Sequence, residues 1–541
     1  MTMTIRAQAD ALFTHGMTPS QAYKELTKSI VEPKLPSMKK FQNRHRYFRK
    51  CEMLENSNPE VMAHLLLNNY YTDEKQETQY FSFGYSIAYG RPSIGYNGPN
   101  NPFAVGITTK KLLRQMHRNP TSFMFHWDST YKINSLSFPV LICGISDKAR
   151  QFHPVAFYVL GRETEPDYTW AIRELMTIYS VVVGEPLKIS YVMSDAARAP
   201  ALAIQLVKED VGVEKTLMCF YHCMANVHKF LSGSSIAAKA LAFRHIYNLH
   251  YSRSEDEMQY HWTVAQEVWL GCQELHRFVS YFKGQWLDSG SSCWQVLHAP
   301  SGFPTTNNPC EAFNKIFKDV YTKRQKHGLC ATFEILGDMA VAYSTSKAIP
   351  FATHSIPSIK LQRRTKRLMD TGPLELFESP FELPAGEVLV RSLVPGQAPS
   401  LAYAFQYRLL GSTADEAHAA MGNVASTTSE ADLVEAYYYN ANTNNVKHEI
   451  VCGGNDQPFY GWRVCTLPGS VKYECNYFFK NAYCCHVLCA LKIQHKDFLG
   501  HPLPERRFQP FADRRQRASQ RRILRLRGRA RSRVAPALVI D

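Results

Sequence analysis

Acidic residues end successive predicted strands in the middle of the chain, and this order constrains the fold more than any other sequence feature. FMFHWDSTY alternates aromatic residues with Met124, His126 and Asp128, which predicts a β-strand. SFPVLICGIS and FHPVAFYVLG follow and predict a hairpin, and YTWAIRELMTIYSVV, which comes next, predicts a helix. LKISYVMSD is a buried strand that ends at Asp195, and a helix around PALAIQLV and a strand in KTLMCFYH come next. Hairpin strands followed by alternating helix and strand predict an α/β sheet of the ribonuclease-H-like type.

A third acid, Glu311, lies where a loop is followed by a predicted helix, SGFPTTNNPCEAFNKIFKDVYTKRQ. Asn308 can cap this helix and Pro309 suits its first position, so Glu311 falls in the first turn. Asn314 follows one turn later on the same face. Two-metal phosphoryl transfer requires several carboxylates around two divalent ions about 4 Å apart. The acids therefore predict a site for Mg²⁺ or Mn²⁺, because these ions prefer oxygen ligands.

Each acid also has a purely structural interpretation. Asp128 could start a turn after its strand, and Asp195 could cap the following helix. Glu311 could be a capping glutamate, since acids are favoured in the first turn of a helix. Taken singly, these interpretations are preferable. Three acids at the ends of correctly ordered elements favour a common catalytic site.

Four motifs in order resemble the transposase domain of Mutator-like elements (MULEs). They are DSTYKIN before the hairpin, Glu165 and Trp170 with SDAARAPALAI, the pair Cys219 and His222, and TNNPCEAFNKIFK. The resemblance spans roughly 121–344 and implies a ribonuclease-H-like fold, a helical insertion before the third acid, and double-stranded DNA as substrate. It also implies a DDE triad of Asp128, Asp195 and Glu311.

Cys219 and His222 have the spacing of the Cys-x-x-His motif that this family carries between its second and third acids. On a strand-to-loop segment they could be two zinc ligands, although no second pair lies nearby in the sequence. The resemblance also allows a role in shaping the site or in contacting DNA. Core packing of Cys219 is an equally good interpretation.

A second group of potential metal ligands lies near the C-terminus, in VKYECNYFFKNAYCCHVLCAL. Cys475, Cys484 and His486 are residue types that zinc prefers. The stretch resembles a SWIM zinc finger, whose pattern is Cys-x-Cys, a spacer and Cys-x-His. Tyr473 stands where the first cysteine is expected, so the fourth ligand is open among Cys465, Cys485 and Cys489, or the fold survives without metal. The alternative is a buried cysteine-rich helix.

Basic segments lie at both ends of the chain, whose formal net charge is +15. The helical N-terminal unit resembles either a helix-turn-helix or a hairpin with a solvated basic face. Its candidates for phosphate contact are Lys39, Lys40, Arg44 and Arg46. Twelve arginines between Glu505 and Arg533 predict a disordered arm for nucleic acid or nuclear import, with improved solubility as the alternative.

The expected fold class is a ribonuclease-H-like α/β core with a helical insertion, an N-terminal helical unit and a small zinc-finger-like module. The predicted regions are a basic DNA-binding unit at 1–55, a connector at 56–118, the transposase domain at 119–350 with its insertion at about 229–300, a linker at 351–455, the SWIM finger at 456–496 and the basic tail at 497–541.

The sequence favours a transposase-derived protein that cleaves and joins DNA with Mg²⁺ or Mn²⁺ and binds Zn²⁺ at the SWIM finger. Alternatives are a domesticated, non-catalytic DNA-binding regulator of transcription and a SWIM-mediated protein-interaction module. No signal peptide or membrane span is apparent, which together with the basic tail predicts a nuclear protein without a membrane partner. A homo-oligomer is compatible with the sequence.

Overall fold

The computed structural model describes most of the unit Met1–Lys496. The described residues are 1–30, 35–98, 100–252, 255–300, 302–372, 374–379, 383, 385–392, 462–466, 472–473, 478 and 482–496. The predictions for the basic tail at 497–541 and for Cys475 fall outside them. Among the described residues, no helix combines the length and apolar character needed to span a bilayer.

The N-terminal region forms three helices, α1 (Met3–Thr14), α2 (Pro19–Thr27) and α3 (Met38–Cys51). Thr18 caps α2 in a capping box with Gln21, and Pro19 occupies the first helical position. The three helices enclose a small apolar core, in which Phe13 and Phe41 are fully buried. The sequence predicted two helices here, whereas α1 is a third helix that completes this core.

A large mixed sheet forms the centre of the molecule. Its strands are β1 (Tyr80–Phe83), β4 (Ala104–Thr109), β5 (Met124–Thr130), β6 (Val140–Ser146), β7 (Phe152–Leu160), β8 (Tyr191–Ser194) and β9 (Lys215–Met218). The spatial order is β1-β4-β7-β6-β5-β8-β9, and a separate small hairpin pairs β2 (Ile87–Ala88) with β3 (Arg91–Pro92). The pairs from β1 to β5 are antiparallel, while β5, β8 and β9 are parallel.

Helices cover both faces of this sheet. On one face pack α6 (Glu165–Val183) and α7 (Arg198–Val211). On the other pack α4 (Pro59–Asn68), α12 (Asn308–Ile316) and α13 (Leu329–Ser344). Strands buried on both faces are apolar almost throughout, as in β6 and β7, whose residues are all buried. The observed class is therefore mixed α/β, as predicted.

The region at 56–118 is more than the predicted connector, because it supplies β1 and β4 to the large sheet. β4 pairs with β7, and β1 pairs with β4 at the sheet's edge. The short helix α5 (Lys110–Leu113) follows β4 and is capped by Thr109. The large sheet thus begins about forty residues before the predicted boundary at 119.

A helical block separates β9 from α12. It contains α8 (Phe220–Phe230), α9 (Ile236–His250), α10 (Glu255–Leu270) and α11 (His276–Phe282), which continues as a π-helical turn. Three fully buried tryptophans centre its core: Trp269, Trp286 and Trp294. The helices start at residue 220 rather than at about 229, because the predicted strand KTLMCFYH ends at Met218.

The C-terminal elements form a second, smaller sheet, in the order β10-β11-β12-β13. Its strands are β10 (Leu374–Phe377), β11 (Glu387–Ser392), β12 (Trp462–Cys465) and β13 (Lys472–Tyr473). The helices α14 (Ile359–Asp370) and α15 (Cys485–Ile493) pack together, and both contact β10. The elements α14, β10 and β11 therefore belong to the same module as the described part of the predicted SWIM segment, and not to the linker predicted at 351–455.

Candidate functional site

The parallel pairing of β5 and β8 brings the first two acids to the same edge of the large sheet. The register pairs Phe125 with Val192 and His126 with Met193. Asp128 and Asp195 each follow the last pair of this register by two residues, and the charge of Asp195 acts on Asp128. Asp195 directly follows β8 and its Oδ1 accepts a 3.0 Å hydrogen bond from the Ala197 N–H. The N-cap of α7 is Ala197, so Asp195 is not the helix cap that the structural interpretation required.

Asp128 is a half-buried residue whose carboxyl group is close enough to Asp195 and Glu311 to be affected by their charges. It lies within β5 rather than in a turn after it. Burial raises its pKa to about 7, and the charges of Asp195 and Glu311 add to this effect. The Asn314 side chain opposes the shift, because its Nδ2 donates a 2.6 Å hydrogen bond to Asp128 Oδ2. Lys318, in the π-helical turn that follows α12, also favours the ionised form.

Glu311 lies in the first turn of α12, as predicted, but the N-cap residue is Asn307 rather than Asn308, and Pro309 is the second residue of the helix. Burial raises its pKa, the charge of Asp195 raises it further, and His222 opposes the shift. Glu311 Oε1 is buried and accepts no hydrogen bond from any described residue. That oxygen is therefore not engaged in capping. The charges of Asp195 and Glu311 raise the pKa of Asp128, and the charge of Asp195 raises that of Glu311. The three predicted acids therefore lie close together in the folded chain.

Asn307 fixes the start of α12 against β5, a role that the sequence did not reveal. It is completely buried, and its Oδ1 accepts a 2.9 Å hydrogen bond from His126 Nδ1. Its Nδ2 donates to the Trp127 carbonyl at 3.4 Å, and its N–H donates to Cys219 Sγ at 3.1 Å. Burial lowers the pKa of His126 to about 4, so the imidazole is neutral and its Nε2 accepts from Ser146.

Cys219 and His222 lie at the start of α8, next to Glu311. Cys219 is the N-cap residue and His222 falls in the first turn, which corrects the predicted strand-to-loop setting. His222 Nε2 is 3.9 Å from Glu311 Oε1, and donor atoms of Cys219, His222 and Glu311 all lie within 4.8 Å of one another. Burial raises the pKa of the Cys219 thiol to about 12, so without a cation it packs as a neutral side chain.

These groups could hold a divalent cation in two ways. The three carboxylates offer the oxygen ligands that Mg²⁺ and Mn²⁺ prefer. Glu311 Oε1 and Asn314 Oδ1 are buried and accept no hydrogen bond from a described residue. A cation bound nearby would satisfy these two oxygens. The sulfur and nitrogen atoms of Cys219 and His222 would instead suit zinc, with Glu311 as a shared ligand.

A fourth carboxylate, Glu163, lies near this site and was missed in the sequence. It accepts hydrogen bonds from the phenols of Tyr131 and Tyr168. The charge of Asp195 contributes to a raised pKa at both tyrosines, after burial as the main cause. Tyr168 also bonds Ser129, the neighbour of Asp128 in β5, at 3.0 Å. Both phenols are therefore positioned beside the triad.

The remaining predicted site residues lie in the N-terminal helices and in the C-terminal module. Lys39, Lys40 and Arg46 are exposed on α3. Arg44, in contrast, is half-buried and its guanidinium binds both carboxylate oxygens of Asp10, with Nε 2.8 Å from Oδ1. This ion pair joins α3 to α1, so it gives Arg44 a structural partner within the unit.

In the C-terminal module, Cys484 and His486 are buried at the start of α15. Cys484 is the N-cap residue, and its Sγ accepts a hydrogen bond from the Val487 N–H at 3.4 Å. The ring centroid of His486 is 6.1 Å from that of Trp462 on β12. Two of the three predicted zinc ligands thus lie two residues apart at this helix start, beside the small sheet.

Residues 124–226 match the family model of the MULE transposase domain. The match begins at the first residue of β5 and ends within α8. It therefore includes Asp128, Asp195, Cys219 and His222, and supports a transposase of the MULE family. No curated protein matches the chain.

Proposed function

We propose that this protein is a transposase-derived enzyme of the MULE type that cleaves and joins DNA strands. Asp128, Asp195 and Glu311 form its DDE triad on a ribonuclease-H-like core. The observation that carries the proposal is the proximity of three acids that are distant in the sequence: one lies on β5, one directly follows the parallel strand β8, and one lies on α12. The MULE match covers the first two acids and so supports the same assignment independently.

The chemistry follows from the kind of ligands present. Divalent cations at such a site activate a water or 3′-hydroxyl oxygen and stabilise the leaving oxygen of a phosphodiester. Asp128 and Asp195 supply negative charge at the sheet edge, and Glu311 supplies it from the start of α12. Asn314 holds the Asp128 carboxyl in one orientation through its 2.6 Å hydrogen bond. Asn307 holds the helix that carries Glu311.

Removal of one carboxylate tests the proposed reaction. Asp195→Asn keeps the size of the side chain but removes the charge that binds a cation. With Mg²⁺ or Mn²⁺ and DNA flanking the protein's own gene, we expect nicking to fall by about two orders of magnitude or more. The matched control is Asp210→Asn, an exposed position on α7, which should nick DNA at the wild-type rate. The readout is conversion of end-labelled duplex to nicked product.

Equal metal-dependent cleavage by wild type and Asp195→Asn would contradict the enzyme assignment. Binding without any nicking by the wild type would instead support the domesticated regulator of transcription. This second function needs the DNA contacts of a transposase but not the triad. Neither outcome depends on the oligomeric state.

We propose in addition that the protein acts in the nucleus and forms a homo-oligomer, and both properties remain to be measured.

We also propose that the C-terminal module is a SWIM-type finger that binds zinc through Cys475, Cys484 and His486. The support is the donor chemistry and the setting of Cys484 and His486, which are both buried at a helix start. We expect about one zinc per chain for this module, measured by atomic absorption, and its loss in Cys484→Ser. Cys51→Ser, at an exposed cysteine of α3, is the control. Equal zinc content in both variants would contradict the assignment.

A further inference from the structure

The helix α14 carries a dense basic face, which is separate from the triad and from the proposed zinc ligands. Its sequence, IKLQRRTKRLMD, has five cations and one acid in twelve residues. All five cations are exposed: Lys360, Arg363, Arg364, Lys366 and Arg367. None of them forms an ion pair with a described residue, so their charges are not neutralised within this part of the protein.

The cations are segregated from the buried side of the helix. At about 100° per residue, Lys360, Arg363, Arg364 and Arg367 fall within an arc of about 100°. The buried residues Leu361, Gln362 and Thr365 occupy the opposite side, which faces α15 and β10. From Lys360 to Arg367 the row is about 10 Å long. The module therefore presents a compact strip of positive charge to solvent.

A further cation borders this strip. Lys492 on α15 is half-buried, and burial, followed by the charge of Lys366, lowers its pKa. Asp370 is the acid that counters this repulsion. Like charges held close together on two packed elements destabilise the isolated fold, and a bound polyanion would remove that cost.

We infer that the exposed face of α14 is a binding surface for the phosphate backbone of duplex DNA. Charge complementarity supports this occupant, since a row of unpaired Arg and Lys matches the regular negative charge of a duplex. An anionic membrane fits less well, because a membrane-binding amphipathic helix inserts its apolar face. In α14 the apolar face is already packed within the module.

The surface contacts phosphates rather than bases, so the binding is independent of sequence. It positions DNA on the C-terminal module, whereas the triad acts on the scissile bond. This inference goes beyond the proposed function and does not depend on it. A protein without nicking activity would retain the surface, and cleavage assays report on the triad separately.

The test uses the full chain and removes four charges at once. The variant is Lys360→Gln with Arg363→Gln, Arg364→Gln and Arg367→Gln, all exposed positions at which glutamine keeps helix propensity. The matched control removes four exposed cations from elements outside the strip: Arg173, Lys208, Arg277 and Lys283, each replaced by Gln. Binding of two unrelated 30-base-pair duplexes is measured by fluorescence anisotropy between low and high NaCl.

We expect the α14 variant to lower the slope of log Kobs against log[NaCl] by about three to four, since each lost phosphate contact contributes about 0.9. Both duplexes should be affected equally, and the melting temperature should equal that of the wild type. A charge-preserving variant, Arg363→Lys with Arg364→Lys and Arg367→Lys, should restore the wild-type slope.

The inference is overturned if the α14 variant and the control have the same slope and affinity. It is also overturned if duplex binding is unchanged while sedimentation with phosphatidylserine vesicles is lost, because the occupant would then be a membrane. A loss confined to one of the two duplexes would likewise contradict it, because the surface would then be reading bases.

Discussion

Asn307 shows how the site depends on residues that carry no charge. Its partners His126, Trp127 and Cys219 are 88 to 181 positions away in the chain. The acids could be predicted because each lies in or next to an element with a recognisable local pattern. Asn307 could not be assigned a role in the same way, because only the folded chain brings its partners together. The Asn pair before Pro309 was the local signal.

Replacement of Asn307 by alanine should destabilise the sheet domain. The change leaves His126 Nδ1 and the Trp127 carbonyl without their buried partner, at a cost of about 2–4 kcal/mol. Asn308 is exposed in the next position, so Asn308→Ala is a matched control with an expected effect below about 1 kcal/mol. Urea unfolding followed by circular dichroism gives both values. Equal effects at the two positions would contradict the role assigned to Asn307.

At the scale of elements, the sequence predicted β5, the β6–β7 hairpin, α6, β8, α7 and α12. Each has a regular pattern of apolar residues or a recognisable helix start. It missed β1, β4, β10 and β11, which are short strands, and two of them, β4 and β11, pair with strands far along the chain. A strand of four to six residues becomes recognisable only through pairing, so local periodicity did not distinguish these segments from connectors.

The ends of α3 and α13 are joined by an ion pair with a defined pH dependence. Glu55 follows α3 and His327 precedes α13, with His327 Nδ1 2.6 Å from Glu55 Oε1. His327 Nε2 also donates to the Thr322 carbonyl, so both ring nitrogens act as donors when the ring is protonated. The bond to Glu55 raises the pKa of His327. Burial would raise the pKa of Glu55, but bonds from His327 and the Gly328 N–H lower it.

Stability from this pair should be greatest in mildly acidic solution. The Glu55 contribution is present above its unfolded pKa of 4.5 and is lost as pH falls through its folded pKa. The His327 contribution is present below its unfolded pKa of 6.5 and is lost as pH rises through its folded pKa. We therefore expect His327→Gln to lower the free energy of unfolding by about 2 kcal/mol at pH 5.5 and by less at pH 8.5.

The control for this experiment is His64→Gln, an exposed histidine on α4. Its effect on stability should be small at both pH values. Urea unfolding of both variants and wild type at pH 5.5 and pH 8.5 provides the comparison. A loss in His327→Gln that is the same at both pH values would exclude the ion pair as its cause.

At the scale of the whole molecule, the acids connect a local site to global stability. Burial, followed by repulsion from Asp195 and Glu311, raises the pKa of Asp128 to about 7. Cations bound between β5, β8 and α12 would offset this repulsion and join three elements that are distant in the chain. Binding of a ligand to the folded state alone raises the melting temperature.

The most direct test of the triad is therefore the effect of Mn²⁺ on thermal unfolding, which requires no knowledge of the DNA substrate. At about one hundred times its Kd, Mn²⁺ should stabilise the wild type by about 2.7 kcal/mol, a shift of about 5 °C. Asp195→Asn should lose most of this shift while melting no lower than wild type without metal, and Asp210→Asn should keep it. An equal shift in wild type and Asp195→Asn would contradict a cation site at Asp128, Asp195 and Glu311.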